Sequence, residues 1–531
     1  MNSSFSSTPC VQCGRHFIGD TAVTSPVPYL LKNNNPPITS EVFAIHDAIS
    51  KAESDLSYRD RQISHAVAIL DDLRCMRAHD EQHLKMIKGI MHPIRRIPPE
   101  ILAEIFILTL PKEWQLVFKP QSSSYRNAVL LPGQVCRIWR DISLTTPQLW
   151  SRVSLDIGLQ GKSFQAEVNL VDTWLSRTGQ YPLSIEIFLT SNFQLTRYPP
   201  KPFIPKALIE SCCRWKYLRL SGSWSWLYSG ALDGVRNHLS HLQNLVYDQA
   251  QNDASSLHSR GPITLFEKTP QLRYHRCRSM IHPWPFTLPW AQLMGFSVER
   301  MSLRHCHDIL SRAQNLVTLS ISTMTQSTSP PLRPVHHPHL RSLSITQCHS
   351  SATLLNCLTL PALSELRYPE VPAKSLLDFL SRTMCPLQTL VLGLSPVAVK
   401  SGYEAQILQL LPSLSELQFT HHVTDDLLGR LACTPDSEIL VPRLHTIRLT
   451  IGDGKMLCPR LADMIESRWQ FSGASSQFPR RQITPLKQVQ VYMEPNIGSF
   501  YSKPHKRLRR LRDEGLDIRF TDKDGVAVGI C

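Results

Sequence analysis

Two cysteines near the amino terminus have a spacing that zinc sites use. Cys10 and Cys13 are separated by two residues, and His16 follows shortly after. A closed zinc site needs four ligands, and neither a second Cys-x-x-Cys nor a suitably spaced histidine pair comes later. The spacing therefore favours two free thiols and leaves metal binding by Cys10 and Cys13 open.

A second segment resembles a phosphate-binding loop. Gly161-Lys162-Ser163 follows a predicted strand, as the end of the G-x-x-x-x-G-K-[ST] motif does. The motif requires glycine at position 156, where this chain has Asp156. Because that carboxylate would repel the phosphates, we expect no nucleotide site here.

Histidines occur in adjacent groups without a metal-ligand pattern. The spacing within these groups predicts solvated loop or strand-edge residues: His305-Cys306-His307, His336-His337 and His421-His422. The H-E-x-x-H, G-x-S-x-G and G-x-G-x-x-G motifs are absent from the sequence. The sequence therefore predicts a protein that is not an enzyme and has no catalytic residue, metal or cofactor.

The composition indicates a folded chain built of short elements. Of 531 residues, 42% are hydrophobic and 39 are proline, which suits frequent stops rather than long helical bundles. The net charge of +14 permits an acidic partner without requiring one. The 14 cysteines are not spaced as a disulfide framework, and no apolar stretch suggests a signal or a membrane span. We expect a soluble, cytoplasmic and/or nuclear protein without a membrane partner.

Residues 1–40 and 41–92 differ sharply in pattern. The first segment is rich in Ser, Thr, Asn and Pro, which predicts a disordered leader. The second predicts one long amphipathic or coiled-coil helix, because 12 of 15 positions in its a/d heptad series are apolar. That series is Val42, Ile45, Ile49, Ala52, Leu56, Arg59, Ile63, Ala66, Leu70, Leu73, Arg77, Asp80, Leu84, Ile87 and Met91.

This apolar seam must be buried against something. Either a second copy of the chain or the next domain of the same chain would satisfy the pattern, and the sequence leaves both open. Arg59, Arg77 and Asp80 lie in the seam, and burying a charge is costly. We therefore expect at most weak self-association through residues 41–92.

The following segment, 93–150, predicts a small all-α domain. Pro98-Pro99 can open a helix that Pro111 ends, and that helix is apolar nearly all round. Three pieces of this segment occur in a specific order: Ile97-Pro98-Pro99-Glu100-Ile101-Leu102 with Ile105-Phe106, then Val135-Cys136-Arg137-x-Trp139-Arg140, and finally Pro147-x-Leu149-Trp150. In these pieces and their order the segment resembles an F-box.

The resemblance is strongest to the F-box-like domain of a large family in mushroom-forming (basidiomycete) fungi. It implies docking on a Skp-family adaptor, which connects to a cullin–RING ubiquitin ligase. Carried over by position, the adaptor-binding residues would be Pro98, Ile101, Leu102, Ile105, Val135, Cys136, Trp139 and Trp150. An alternative is that most of these residues form the core of the small helical domain. The long 112–127 insertion and Pro132-Gly133 depart from the family pattern.

Residues 151–525 contain units of the form Leu-x-x-Leu-x-apolar. Units beginning at Leu316, Leu340, Leu363 and Leu387 recur at a spacing of about 24 residues. Such a period predicts leucine-rich repeats, each with a strand and a returning helix, stacked as an irregular α/β solenoid with one parallel sheet. Residues 526–531 form a short tail.

The basic stretch Lys503–Arg512 permits two interpretations. It could contact nucleic acid or serve nuclear targeting, or it could be a helix that places Leu508 and Leu511 on the solenoid and ends at Gly515. The second interpretation fits more residues, so nucleic acid is not an expected partner.

Together these patterns predict the substrate-recognition subunit of a Skp–cullin–F-box type ubiquitin ligase, whose repeats bind a target protein. The alternative is a protein-interaction scaffold with no ubiquitin role. A nucleic-acid binder is a third, weaker possibility.

Overall fold

The computed structural model describes most of the chain. The described ranges are 25–110, 122–157, 161–188, 204–222, 224–249, 261–278, 286–325, 332–348, 351–394, 398–399, 401–433, 439–451, 454–470, 483–493 and 502–521. The chain divides into two compact units, Met1–Ile101 and Leu102–Cys531. Cys10, Cys13 and His16 lie outside the described residues.

The first unit is dominated by one helix, α1 (Thr39–Ile90). Glu41 caps its start, since the carboxylate Oε2 accepts the backbone N–H of Ile38 at 3.0 Å. The same carboxylate accepts a hydrogen bond from the Tyr29 hydroxyl. The long helix predicted from the heptads is confirmed, with its ends within two residues of 41 and 92.

The heptad seam of α1 is largely exposed. Seven of its larger apolar side chains are between 46% and 60% exposed: Ile49, Leu56, Ile63, Leu70, Leu73, Leu84 and Ile87. Because these apolar side chains are exposed to water, a partner that buried them would gain binding free energy.

Short helices follow in the segment that sequence predicts to be all-α. They are α2 (Pro99–Leu108), α3 (Ser122–Leu130), α4 (Pro132–Val135), α5 (Arg137–Thr145) and α6 (Pro147–Trp150). Prolines at the first turn of α4 and α6 lack an N–H that the helix could not pair anyway.

A parallel sheet forms the larger part of the second unit. In the described residues fourteen of its strands pair in chain order: β1 (Arg152–Asp156), β2 (Leu183–Phe188), β3 (Trp215–Gly222), β4 (Asn244–Gln249), β5 (Tyr274–Arg278), β6 (Gly295–Ser302), β7 (Thr318–Thr325), β9 (Ser342–Cys348), β11 (Glu365–Tyr368), β12 (Thr389–Leu392), β13 (Glu416–His422), β14 (Thr446–Ile451), β15 (Gln488–Met493) and β16 (Asp517–Thr521). Two short strands, β8 (Val335–His336) and β10 (Leu358–Thr359), pair separately.

The register of the sheet follows the repeat pattern. Leu319 pairs with Leu343, Leu343 with Leu366, and Leu366 with Leu390, all in parallel. The leucines three residues earlier in each unit are fully buried: Leu316, Leu340, Leu363 and Leu387. The prediction that these units occupy equivalent positions in one parallel sheet is therefore confirmed.

Helices alternate with the strands and supply the other side of the core. They are α7 (Gly161–Arg177), α8 (Lys206–Glu210), α9 (Trp224–Leu227), α10 (Leu303–Arg312), α11 (Ser351–Cys357), α12 (Ala373–Thr383), α13 (Tyr403–Gln409), α14 (Asp425–Leu431), α15 (Gly454–Gln470) and α16 (Ser502–Asp513). Strand positions alternate between buried apolar and more exposed polar side chains, as in β7. Within the second unit, the large parallel sheet and its helices form a solenoid-like α/β arrangement.

The last helix and strand close the described part of the sheet. Leu508 and Leu511 of α16 are buried, and Arg507 bonds Asp463 at 2.9 Å and also Glu466 of α15. Gly515 has φ +109°, a conformation that side-chain-bearing residues rarely adopt, so it ends the helix as predicted. No helix in the described ranges has both the length and the apolarity needed to span a bilayer.

Candidate functional site

The helical segment is built around one line of buried side chains on α2. Leu102 and Phe106, four residues apart, are buried on one face. The Phe106 ring lies 5.0 Å from the Trp139 ring on α5, measured between centroids. This contact joins the first and second pieces of the predicted adaptor-binding motif.

Cys136, in the second piece, caps the start of α5. Its Sγ accepts the backbone N–H of Trp139 at 3.5 Å, which replaces one of the hydrogen bonds missing at a helix start. Arg140 donates from Nε to the Gly133 carbonyl at 2.8 Å, which ties α5 back to α4. The Pro132-Gly133 departure from the family pattern is thus a short helix of its own, joined to α5.

Trp150, in the third piece, is an anchor inside the unit. It is buried, its Nε1 donates to the Ser143 carbonyl at 2.8 Å, and its ring meets Trp174 edge-on at 4.8 Å. The Arg177 guanidinium lies 4.3 Å above the same ring, at a distance that allows a cation–π interaction. Trp150 therefore fixes the helical segment against α7.

Two further contacts hold the helical segment on the first strand of the sheet. Arg126 bonds both carboxylate oxygens of Glu167, at 2.8 and 2.6 Å, and the Ser154 carbonyl at 3.1 Å. Arg152 lies 4.3 Å over the Tyr125 ring. Burial raises the pKa of Tyr125 to about 12, so its hydroxyl stays protonated and donates to the Leu149 carbonyl at 3.1 Å.

The predicted adaptor-binding residues fall into two groups by exposure. Leu102 and Trp150 are buried and can only support an interface, while Trp139 is half-buried. The exposed members are Pro98, Ile101, Ile105, Val135 and Cys136. The structure thus leaves five of the eight positions accessible.

Further apolar side chains on this segment are exposed that sequence analysis did not assign to the site. They are Leu108, Leu130, Leu131 and Ile138. Together with Ile105 at 39% and Val135 at 63% exposure, they form what we call the exposed apolar set. The sequence did indicate such a surface, because α2 is apolar nearly all round and must therefore be buried on more than one side.

The outward face of the strands is a second surface, and it is polar. One position of the register contains arginine in five strands, forming what we call the arginine row: Arg219, Arg276, Arg367, Arg448 and Arg519. In the middle of this row the same position is serine: Ser297, Ser320 and Ser344. Four further strands have Val246, Val391, Gln418 and Gln490 at this position, so the face is charged towards both ends, small and hydroxylated in the middle, and interrupted by two valines.

Acidic residues accompany the arginine row. Arg367 pairs with Glu365 at 2.5 Å, and Arg519 pairs with Asp517 at 2.9 Å. Although partial burial opposes it, hydrogen bonds from Arg367 and Ser342 lower the pKa of Glu365, so this carboxylate is charged at neutral pH.

The charges near the amino-terminal end of the sheet are more buried. Arg219 bonds Asp248 Oδ2 from Nη2 at 2.6 Å and from Nε at 2.7 Å, and both residues are buried. Burial raises the pKa of the neighbouring Glu186, whereas Arg219 and Arg152 act in the opposite direction. Arg219 and Asp248 therefore neutralise each other within the chain and contribute a paired network to this end of the face.

The histidine groups are less solvated than the sequence suggested. The expectation of loop or strand-edge positions is wrong for His305-Cys306-His307, which belongs to α10 with Cys306 buried. It is also wrong for His337, which is buried and bonds the Ala313 carbonyl at 2.8 Å through Nε2. No group of three or more His, Cys, Asp or Glu within the described ranges could hold a metal ion.

No protein-family model matches this chain, and a search of curated proteins finds no match either.

Proposed function

We propose that this chain is the substrate-recognition subunit of a Skp–cullin–F-box type ubiquitin ligase. The helical segment docks on a Skp-family adaptor, and the outward strand face binds a target protein. The observation that supports docking is the exposed apolar set, which lies on a segment whose own core is already complete with Leu102, Phe106 and Trp150. Exposed apolar side chains on a rigid helical platform are typical of a protein-binding surface.

The two surfaces suit different partners, the adaptor and the target, because their chemistry differs. An apolar set suits a constant partner that covers it permanently, because its burial is favourable at about 25 cal/mol per Å². A polar face whose charges are paired within the chain suits selective recognition, since a mismatched partner would bury these charged groups without offering them new hydrogen bonds. The chain then needs no chemistry of its own: holding a target near a ubiquitin-conjugating enzyme raises the local concentration of target lysines to roughly millimolar for a short, well-matched tether.

Adaptor binding tests the proposal with matched variants. Val135→Asp places a charge within the exposed apolar set, whereas Gln134→Asp makes the same change at the neighbouring exposed polar position. We expect purified full-length wild type and Gln134→Asp to retain a Skp-family adaptor in a pull-down, and Val135→Asp and Ile105→Asp to lose it.

Both Val135 and Ile105 are exposed, so the unfolding curves of the variants should match that of the wild type. If the wild type retains no adaptor, or if Val135→Asp binds as well as Gln134→Asp, the ligase assignment is wrong. The scaffold without a ubiquitin role then becomes the leading function.

A further inference from the structure

The exposed seam of α1 contains information about the orientation of its partner. Its fourteen a/d positions from Val42 to Ile87 are symmetric about the midpoint between residues 64 and 65. The helix bounds, Thr39 and Ile90, are symmetric about the same point. A helix with this symmetry can pair with a second copy of itself in either direction, so the charges in the seam decide between the two.

A parallel, in-register pair is disfavoured by its like charges. Every core residue then faces its own copy, so Arg59, Arg77 and Asp80 would each meet an identical charge. At the flank, Asp55 would face Asp60 of the second copy. Like charges brought together and away from water repel strongly, which makes this arrangement unfavourable.

An antiparallel pair in full overlap removes every one of these core contacts. In this register the residue numbers of two facing core residues add up to 129. Each a position therefore meets a d position of the second copy, as antiparallel packing requires. The seven pairs are Val42–Ile87, Ile45–Leu84, Ile49–Asp80, Ala52–Arg77, Leu56–Leu73, Arg59–Leu70 and Ile63–Ala66.

One of the charged seam residues, Arg77, is readily accommodated in this register. Its Nε already pairs with Glu81 on the same helix at 3.1 Å, and both side chains are exposed. The opposing residue, Ala52, is small, so the long aliphatic part of Arg77 can cross it while the guanidinium stays at the edge with Glu81.

Neighbouring antiparallel registers are worse. A shift of one heptad in one direction places Arg59 opposite Arg77. The same shift in the other direction leaves Leu84 and Ile87 beyond the end of the second helix. Full overlap alone covers the whole seam without a like-charge pair.

The flanking positions agree with this register. On the e-position edge, Glu53 lies beside Arg74 of the second copy, and His46 lies beside Glu81 of the second copy. By the twofold symmetry each pair occurs twice. In the parallel arrangement Glu53 would instead flank Ala48 and Arg74 would flank Ile69, which gives no charge pairing.

From these observations we propose that α1 is an antiparallel dimerisation helix that pairs over its full length with α1 of a second copy of this chain. The pair forms a rod of about 78 Å, from 52 residues at 1.5 Å each. The two Ile90 ends then lie at opposite ends of the rod. The sequence left a second copy and the next domain of the same chain both open as partners of this seam; the choice of a second copy, its orientation and the register are new.

Disulfide trapping with the full-length chain tests the orientation. Leu56→Cys and Leu73→Cys proteins are prepared separately, mixed under reducing conditions and mildly oxidised, and linked peptides are identified by mass spectrometry. The antiparallel register predicts a linkage between Cys at 56 of one copy and Cys at 73 of the other, and none between two copies of position 56. A linkage between two copies of position 56 would overturn the proposal. So would a chain that sediments as a monomer at about 50 µM, a concentration in the Kd range of weak dimers.

A charge exchange tests the register independently. Glu53→Arg should weaken the dimer about tenfold, because two attractive flank pairs become repulsive. Adding Arg74→Glu should restore the affinity to within about threefold. Ala68→Glu, on the side of the helix opposite the seam, serves as the control and should leave sedimentation unchanged. Equal weakening by the single and double exchanges would contradict the register.

Discussion

At the scale of single residues, Arg468 shows how the core of the second unit uses a charge. The side chain is completely buried in α15, and its hydrogen-bond partners among the described residues are three main-chain carbonyls: Leu431 at 2.7 Å, Leu440 at 2.7 Å and Val441 at 3.3 Å. Burial lowers the pKa of this guanidinium. Arg468 therefore joins α15 to the end of α14 and to Leu440 and Val441 rather than contacting a partner.

Replacing Arg468 should be costly. Arg468→Met keeps most of the apolar stem but removes a donor from three buried carbonyls, of which that of Val441 still accepts the Leu444 N–H at 3.2 Å. The change should lower the free energy of unfolding by about 3 kcal/mol. The measurement is urea unfolding followed by circular dichroism. Arg460→Met, at an exposed position of the same helix, is the control and should change stability by less than about 0.5 kcal/mol. A result for Arg468→Met as small as the control would show that the buried hydrogen bonds contribute little.

His275 predicts a specific dependence of stability on pH. It is buried between Phe286 and Phe296, and burial lowers its pKa from 6.5 to about 4. Because the folded state binds the proton more weakly than the unfolded state, the stabilisation is present above pH 6.5 and is lost as pH falls towards 4. The difference between the two pKa values corresponds to about 3 kcal/mol at most.

We therefore expect the wild type to lose more stability between pH 7 and pH 4 than His275→Phe does, by about 3 kcal/mol. The measurement is urea unfolding at both pH values. Equal losses in the two proteins would show that His275 is not held neutral by the fold.

Neither Arg468 nor the buried histidines could be recognised from sequence. In a short piece of sequence, an arginine in a helical pattern looks like a solvated residue. The same holds for a histidine beside another polar residue. His337 is buried because it reaches Ala313, 24 residues earlier, and that pairing exists only once successive repeats stack.

At the scale of elements, the agreement between sequence and structure is much closer. The Leu-x-x-Leu-x-apolar unit places strands correctly because its first leucine precedes each strand and its second enters the core. The returning helices expected between the strands are present, for example as α12 to α15. Local periodicity fixes elements of this kind, whereas α10 was missed because His305-Cys306-His307 hides its apolar face.

The register supplies a prediction at this scale. Leu343 in β9 points into the core between Leu319 and Leu366, while its neighbour Ser344 lies on the outward face. Leu343→Ala should lower the free energy of unfolding by about 3 kcal/mol, because it leaves a cavity, and Ser344→Ala should change it by less than about 0.5 kcal/mol. Urea unfolding of both variants checks this. Similar losses at the two positions would contradict the assignment of the faces.

At the scale of the whole molecule, three surfaces have different chemistry and therefore suit different partners. The exposed apolar set lies on the helical segment, the arginine row on the outward strand face, and the heptad seam on α1. The sequence pointed to the first and third, since surplus apolar residues show in local patterns. The arginine row could not be seen, because its members lie between 57 and 91 residues apart and align only through the sheet register where repeats vary in length.

Assembly with the adaptor and the cullin tests the central proposal most directly. Purified full-length chain is mixed with a Skp-family adaptor and the adaptor-binding domain of a cullin, and the mixture is separated by size-exclusion chromatography with light scattering. The proposal predicts one complex containing the adaptor and the cullin domain in equal amounts with the 60.3 kDa chain, which Val135→Asp abolishes and Gln134→Asp preserves. Separate elution of the wild-type chain from an intact adaptor–cullin pair would contradict it.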